Sequence, residues 1–247
     1  MPDLDVYELF AVKYATHDRT QELNFVDPPD PHGAMPIDYF VWAAVSPKRA
    51  FVIDMGFTAE VAEKRGRTHL RCPADALGLI GIDAKTVKDV IVTHFHYDHI
   101  GNFDKFPEAN FHLQDREMAF ATGRHMLESR HGASMNVDAV VDMVRGVYGK
   151  RVVFHDGDVD LAPGISLFHI GGHTDGLQAV RVKTKRGFVM VASDACHLYA
   201  NMETENPFPV LFIKEDVLAG YGRLKELADS PDHIVPGHDP AVMDRYP

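Results

Sequence analysis

Six consecutive positions near the middle of the chain hold four side chains that can bind a metal ion. They are His94, His96, Asp98 and His99, and the apolar pair Ile91-Val92, followed by Thr93, precedes them. Imidazole nitrogens and carboxylate oxygens without thiolate suit Zn²⁺, with Mn, Fe or Co as alternatives. A polar loop of hydrogen-bonded histidines is the other interpretation, but so dense a cluster favours a metal site.

The spacing within this cluster predicts two groups of ligands. His94 and His96 are alternate residues, so in extended backbone their side chains point the same way. Asp98 and His99 follow where the chain must turn, because Ile100-Gly101-Asn102 indicates the opening of a helix or turn. We therefore expect Asp98 and His99 to face a point beside the one that His94 and His96 face.

Three later segments carry the ligands that would complete such a site. His173 lies in a glycine-flanked turn, Asp194 ends a predicted strand, and His238 follows a Pro-Gly turn. Each is placed where a strand ends and a loop begins, and neighbouring glycines let backbones approach closely. Side chains from different strands can converge at such an edge.

Five histidines and two aspartates are too many for one four-coordinate zinc ion. They fit two divalent ions, with His94, His96 and His173 on the first, Asp98, His99 and His238 on the second, and Asp194 bridging both. Three protein ligands per ion plus a bridge leave a coordination position for water. In a structural zinc site, protein side chains usually fill all four positions. The pattern therefore predicts a catalytic centre.

The elements that must position these ligands alternate between short strands and helices. Period-two apolar patterns predict the following strands: 6–12, 39–45, 50–54, 89–93, 109–113, 152–155, 165–170, 177–183, 187–193 and 233–235. Period-3.6 patterns and caps predict the following helices: 58–65, 74–79, 115–122, 137–144 and 215–227. This mixture predicts an α/β (α+β) layered fold.

The chain of 247 residues carries no repeat or polar linker, so we expect one domain over 1–247. The segment 123–150 is a candidate cap over the site, although an ordinary pair of surface helices would give the same pattern. The net charge of −11 argues against a nucleic-acid partner. The absence of a long apolar stretch or a basic N-terminal leader, with only two cysteines, predicts a cytoplasmic protein without a membrane segment.

The ligand pattern resembles that of the metallo-β-lactamase fold superfamily. The resemblance lies in His94-x-His96-x-Asp98-His99, followed by Gly-His173-Thr, Asp194 and Pro-Gly-His238, and covers roughly residues 5 to 240. Val52-Ile53-Asp54-Met55-Gly56 is similar to the family's strand-Asp-x-Gly element, in which Asp54 would support the metal loop. The resemblance implies an αββα sandwich, with two mixed β-sheets flanked by helices and the metals at one edge.

Within the superfamily, the chain looks most like N-acyl-homoserine lactonases. Class B1 β-lactamases have Arg in place of His99 and Cys in place of Asp194. Flavodiiron proteins carry an added flavodoxin domain, and ribonuclease Z-type nucleases fit poorly with the acidic charge. A glyoxalase II-like thioesterase is the alternative hydrolase, although its C-terminal substrate domain is not evident. The resemblance implies a lactone or ester as substrate and a homodimer as a possible assembly.

One position departs from the best-known lactonases. Their Tyr three residues after the bridging Asp orients the substrate carbonyl, and here that residue is His197, with Tyr199 two residues later. Either His197 or Tyr199 could replace that Tyr, or the substrate could differ. We expect Asp98 to move the proton during attack of an ion-bridging hydroxide on the ester.

An acyl chain would require an apolar groove. Its candidate residues, each with a core position as the alternative, are Phe25, Met35, Phe57, Met202, Phe208 and Phe212.

Two interpretations outside hydrolysis remain open at this point. A metal-binding scaffold or sensor would bind ions without turning over any ester. An iron-dependent oxidoreductase of the same fold, like the sulfur dioxygenases, would contain iron and consume oxygen.

Overall fold

Strand β2 (Ile37–Val45) is buried on both faces, because alternate residues pack into different apolar layers. Val41 and Ala43 point into one layer, whereas Phe40 and Trp42 point into another. Successive side chains of a strand point to opposite faces, so a strand that is apolar at every position indicates a sheet covered on both sides. In the computed structural model, which describes residues 4–246, this strand lies inside a layered sandwich.

Two mixed sheets form the centre of the sandwich. The first has the strand order β4-β1-β2-β3-β5-β6-β7 and the second β12-β11-β10-β9-β8. Strands β3, β5, β6 and β7 pair in parallel, as do β11 and β12, while the other pairs are antiparallel. The strands are β1 (Glu8–His17), β2 (Ile37–Val45), β3 (Ala50–Ile53), β4 (Thr68–His69), β5 (Asp89–Ile91), β6 (Asn110–Gln114), β7 (Val152–His155), β8 (Val159–Ala162), β9 (Ile165–His169), β10 (Gln178–Thr184), β11 (Gly187–Ser193) and β12 (Ile234–Pro236).

Helices cover the outer face of each sheet, and the apolar side chains form three layers. The layer between the sheets contains Trp42 and Val191, and the two outer layers contain Met143 and Leu224 under their helices. The α-helices are α1 (Ala59–Arg65), α2 (Pro73–Ala76), α3 (Asp115–Thr122), α4 (Ser129–Gly132), α5 (Val137–Tyr148), α6 (Tyr199–Glu203), α7 (Lys214–Leu227) and α8 (Ala241–Arg245). The predicted αββα sandwich with two mixed sheets is confirmed.

The predicted elements correspond closely to the observed ones, with a few differences in extent. The first strand runs on to His17 instead of ending at residue 12, and the short strands β4 and β8 were not predicted. The predicted helix 74–79 is a short α-helix, α2, that continues as a 3-10 helix over Leu77–Ile80. Among the described residues, no helix has the length and apolar character needed to cross a membrane.

The parallel pairs bring the ligand-bearing loops to one edge. In the first sheet Ile53 pairs with Ile91, so the loops that carry Asp54 and the His94 cluster leave the sheet side by side. In the second sheet Ser193 pairs with Pro236, which places the loops of Asp194 and His238 together. Carboxyl ends of parallel strands meet at the same edge, so strand direction alone decides where these side chains gather.

The backbones of the loops after β3 and β5 lie so close together that there is no room for a side chain at Gly101. The Gly101 N–H donates to the Gly56 carbonyl at 2.7 Å. A Cβ atom on Gly101 would lie 2.4 Å from that carbonyl oxygen and 2.9 Å from the Phe57 Cα, whereas a Cβ on the exposed Gly78 would meet no atom within 4 Å.

We expect Gly101→Ala to destabilise the fold by about 1–3 kcal/mol, because the two backbones must separate to admit the methyl group. Thermal unfolding should show a melting temperature lower by roughly 2–4 °C per kcal/mol. The matched control, Gly78→Ala, should change the free energy of unfolding by less than about 0.5 kcal/mol. Equal melting temperatures for the two variants would contradict the close packing of these loops.

Candidate metal centre

The structure brings all seven predicted ligands together in two buried groups. His94, His96, His173 and Asp194 form the first group, and their ligand atoms all lie within 4.8 Å of one another. The His173 Nε2 lies 2.8 Å from the His96 Nδ1. Two ring nitrogens this close need a proton or a cation between them.

The second group consists of Asp98, His99 and His238, whose ligand atoms meet the same 4.8 Å limit. The Asp98 Oδ2 lies 3.8 Å from the His99 Nε2 and 3.6 Å from the His238 Nε2. The groups are those predicted from the spacing: the alternate histidines face one point, and the residues after the turn face the next.

Asp194 lies between the two groups and turns one oxygen to each. Its Oδ2 is 3.2 Å from the His173 Nε2 and 3.6 Å from the His94 Nε2. Its Oδ1 is 3.0 Å from the His238 Nε2 and 3.4 Å from the His99 Nε2. A carboxylate in this position could bridge two cations.

The outer nitrogens of the histidines are bonded away from the centre. The Nδ1 of His99 donates to Asp54 at 2.7 Å, that of His173 to the Val210 carbonyl at 2.6 Å, and that of His238 to the Asp38 carbonyl at 2.8 Å. Each bond places the ring proton on Nδ1, so the Nε2 lone pair points inward, as metal ligation requires.

The inward atoms leave a polar gap that fits cations. The Nε2 atoms of His94 and His99 and the Oδ1 of Asp194 are buried and have no hydrogen-bond partner among the described residues. Buried polar groups are normally paired, because an unmade hydrogen bond costs about 1–3 kcal/mol. The nitrogen and oxygen donors suit zinc and similar divalent ions.

Electrostatics distinguishes the two groups. Burial holds the pKa values of His94 and His96 well below the usual range, so both rings are neutral and free to ligate. Burial also acts against charge on His99, but Asp194, Asp54 and Asp98 outweigh it and raise the pKa of His99. The carboxylates therefore attract positive charge to the second group.

Asp54 fixes the backbone that carries the first ligands. It accepts hydrogen bonds from the Thr93 N–H and hydroxyl, both at 2.8 Å, and from His99. Asp54 and Ser193 adopt left-handed backbone conformations, with φ of 64° and 47°, which non-glycine residues adopt at a cost. The Ser193 hydroxyl lies 2.9 Å from the Thr93 hydroxyl, so both strained positions belong to one hydrogen-bonded support.

Glu117 was not predicted, yet it joins two ligand loops. Its carboxylate accepts from the Phe95 N–H at 2.7 Å, the Thr174 hydroxyl at 2.7 Å and the Gly176 N–H at 3.0 Å. Complete burial raises its pKa to about 7. A single Glu on a predicted helix gave no sequence signal, because its partners lie 22 and 57–59 positions away.

The two candidates for orienting the substrate lie in different places. His197 is buried at the centre, where its Nε2 lies 3.0 Å from the Asp194 Oδ2 and its ring stacks on Phe208 at 3.9 Å. Tyr199 starts helix α6 and packs into the layer between the sheets, with the Arg245 guanidinium 3.8 Å from its ring centroid. The structure thus places the Tyr199 ring in the core and outside the cavity lining, whereas His197 lies at the centre.

A cavity of about 110 Å³ opens onto both groups. Six of the predicted residues line it: His96, Asp98, His173, Asp194, His197 and His238. Residues that were not predicted also line it: Arg19, Ile37, Tyr39, Arg65, Arg67, Tyr97, Ser134 and Val210. Of the candidate acyl-groove residues, only Phe208 belongs to this lining, and the other five lie elsewhere in the fold.

The candidate cap contributes part of this wall. Ser134 lines the cavity, and its carbonyl accepts from the Tyr97 N–H at 2.9 Å. Helix α5, later in the segment 123–150, packs onto the first sheet through Val140 and Met143. Only the part of the segment before this helix touches the site.

Comparison with known proteins agrees with this geometry. A family model described as the metallo-beta-lactamase superfamily matches residues 38–240. An N-acyl homoserine lactonase from Bacillus sp is 28% identical over 162 residues, which are 65% of this chain and 59% of that protein. A probable metallo-hydrolase of Mycobacterium tuberculosis is 26% identical over 180 residues, or 66% of this chain and 55% of that protein. The chain thus matches less than two thirds of the length of these relatives.

Solved structures share the fold over nearly the whole chain. A quorum-quenching N-acyl homoserine lactone lactonase has a TM-score of 0.80 at 21% identity, covering 96% of this chain and 94% of that one. AidC, a dizinc quorum-quenching lactonase, has a TM-score of 0.74 at 17% identity, with 96% and 92% covered. At these identities the similarity establishes the fold.

We expect Asp54→Asn to weaken metal binding by about 10–100-fold, because the amide replaces one acceptor oxygen with a donor that faces His99 and Thr93. Titration with a competing chelator, followed by metal analysis of the protein, measures this change. Asp75→Asn is the matched control, since that side chain is exposed on helix α2 and should leave affinity unchanged. Equal affinities in both variants would show that Asp54 does not support the centre.

Proposed function

This chain belongs to the metallo-β-lactamase superfamily, and from that premise we propose that it is a dinuclear metal-dependent hydrolase of lactones or carboxylic esters. N-acyl homoserine lactones are the first candidate substrates, because two of the proteins it resembles are named as their lactonases. The observation that carries the proposal is the Asp194 carboxylate, which turns one oxygen to each of two groups of inward-facing histidines.

Seven side chains would hold the cations: His94, His96 and His173 on one, Asp98, His99 and His238 on the other, and Asp194 on both. Zn²⁺ is the expected metal, with Mn, Fe or Co as alternatives. When bound, two such ions would polarise the ester carbonyl and lower the pKa of a water molecule from about 16 towards about 7.

Asp98 is the proposed proton carrier. Its carboxylate lines the cavity, where it can accept a proton from the attacking water and return it to the leaving alkoxide. In a lactone the C–O bond that breaks leaves the alkoxide tethered to the new carboxylate, so the product is one hydroxy acid. Water is the only co-reactant that this reaction needs.

His197 is the proposed donor to the carbonyl oxygen. It lines the cavity beside both groups, and stacking on Phe208 fixes its ring. Burial lowers its pKa to about 3, although Asp194 acts in the opposite direction, so the ring is neutral at physiological pH and has one N–H. Its Nε2 faces the Asp194 Oδ2 at 3.0 Å, and this N–H would become available to the substrate once cations engage that carboxylate. A buried, fixed donor of this kind stabilises negative charge as it develops on the substrate.

We expect the purified protein, once reconstituted with zinc, to bind about two ions per chain and to open lactones. His96→Ala should retain about one ion and lose hydrolysis, because the first group keeps too few ligands. Metal analysis and a panel of lactones, esters and thioesters provide the measurements. No more than about one ion per chain after reconstitution would contradict the dinuclear centre, and full activity in His96→Ala would contradict a catalytic one.

The same panel separates the alternatives. Turnover of thioesters alone would favour a glyoxalase II-like enzyme, and tight metal binding without turnover would favour a scaffold or sensor. Iron with oxygen consumption would favour an oxidoreductase. The cytoplasmic location and the homodimer stay predictions, which cell fractionation and sedimentation would test.

We expect His197→Phe to lower kcat by about 10²–10³-fold, because the aromatic ring keeps the stacking on Phe208 but donates no hydrogen bond. His197→Tyr, which offers a hydroxyl, should recover part of the loss. Steady-state kinetics on one lactone, with metal content measured for each variant, tests this. An unchanged kcat in His197→Phe at full metal content would exclude the donor role.

A further inference from the structure

Arginine side chains form part of the wall of the cavity over the metal centre. Arg19, Arg65 and Arg67 line it and are partly exposed, whereas the histidines that line it are buried. They thus lie between solvent and the candidate metal ligands. A substrate that reaches the metals must pass them.

None of the three arginines forms an ion pair within residues 4–246. The arginine–carboxylate pairs of the described structure involve other residues: Arg49, Arg116, Arg130, Arg145 and Arg223. The chain has 36 acidic and 25 basic residues, so carboxylates are not scarce. Asp98 lines the same cavity but forms no ion pair with any of the three. Partly buried cations that are not paired with a carboxylate favour an anionic ligand.

Arg19 keeps one unused amino group, Nη1, and contacts Phe208. Its Nη2 donates to the Leu23 carbonyl, and its guanidinium lies 4.9 Å from the ring centroid of Phe208. Its Nε is buried and has no hydrogen-bond partner in the described part of the chain. Phe208 in turn stacks on His197 at 3.9 Å, so Arg19 belongs to a column of rings and guanidinium that ends at the metal centre.

Arg67 is fixed by three neighbours. Its Nε donates to the Tyr97 hydroxyl at 3.1 Å and its Nη1 to the Arg65 carbonyl at 2.7 Å, with the His17 Nε2 at 3.0 Å. These contacts occupy Nε and Nη1. The remaining amino group, Nη2, has no hydrogen-bond acceptor among the described residues.

Arg65 differs from the other two arginines because it holds a loop of the cavity wall. Its Nη2 donates to the Ala133 and Met135 carbonyls at 3.0 and 2.9 Å, and its guanidinium lies 3.8 Å from the Tyr97 ring centroid. These contacts hold the loop that carries Ser134. These hydrogen bonds occupy only Nη2, so Arg65 also keeps Nε and Nη1, but its guanidinium is tied to this loop and to the Tyr97 ring. Arg19 and Arg67 are not tied to the loop and are the candidates for contacting a ligand.

The rest of the lining offers little to a long acyl chain. Its only purely apolar side chains are Ile37, Phe208 and Val210, and Phe208 is already covered by Arg19 and His197. A cavity of about 110 Å³ suits a small polar group better than a lipid tail.

We propose that Arg19 and Arg67 bind a carboxylate that the substrate carries in addition to the bond that is cleaved. This inference rests on the proposed function and narrows its substrate class to anionic lactones or esters, in preference to neutral acyl homoserine lactones. A guanidinium recognises a carboxylate through paired N–H donors, and the unused donors of both arginines match this requirement.

The test compares two γ-lactones that differ only at the end of a short side chain, one with a carboxylate and one with a carboxamide. For the zinc-loaded protein we expect kcat/KM to be about ten-fold higher for the carboxylate. The ratio should fall as salt is added, because these side chains are partly exposed. Arg19→Gln and Arg67→Gln should each bring the ratio close to one. Arg71→Gln, an exposed arginine outside the cavity lining, should preserve it.

A binding measurement serves as a second readout that does not depend on turnover. In calorimetric titrations of the zinc-loaded protein, glutarate should bind about ten-fold more tightly than its monoamide, and this difference should disappear in Arg19→Gln. Both probes offer one carboxylate to the metals, so the difference reports the second carboxylate alone.

The two proposals fail in distinguishable ways. If neither lactone is hydrolysed but glutarate shows the arginine-dependent preference, the proposed function is wrong and the anion site is supported. If both lactones are hydrolysed with equal kcat/KM in the wild-type protein, or if glutarate and its monoamide bind equally, the anion site is overturned.

Discussion

The rest of the site depends on the contacts between the Asp194 carboxylate and the histidine nitrogens that surround both of its oxygens. Five ring nitrogens lie within 3.6 Å of it, from residues at positions 94, 99, 173, 197 and 238. So many ligand groups can be buried together only if positive charge joins them, because desolvated carboxylates and unpaired nitrogens are costly. The two groups therefore form one unit, because both contact the Asp194 carboxylate.

The residues around this unit hold the ligand loops in position. Asp54, Thr93 and Ser193 form a hydrogen-bonded support under the first ligand loop, and Glu117 joins that loop to the one that carries His173. The sandwich provides the rigid frame, because its parallel strand pairs deliver the loops to a single edge. The strained backbone at Asp54 and Ser193 supports the site, and this strain is tolerated because packed strands hold both positions.

Reactivity and selectivity are assigned to different parts of the cavity. The buried histidines and aspartates are suited to holding the metal ions of a metal-dependent hydrolase. The partly exposed arginines contact no ligand of either group through an ion pair within residues 4–246, so they are free to select what enters. Hydrolases that share one fold can differ in substrate through residues at the entrance of the cavity, while the metal ligands stay the same.

The candidate ligand set and the layered fold could be predicted from the sequence, because both depend on the spacing of residues that are close together in the chain. Alternation at His94 and His96 gave their shared direction, and period-two apolar runs gave most of the strands. Other features required the tertiary structure. Glu117 joins loops from distant parts of the chain, Tyr199 turns into the core instead of the site, and Arg19 meets Phe208 across nearly the whole sequence. Residue types and short spacings determine which chemistry is available, whereas contacts between distant segments depend on how two sheets and their loops pack, and only the folded chain decides them.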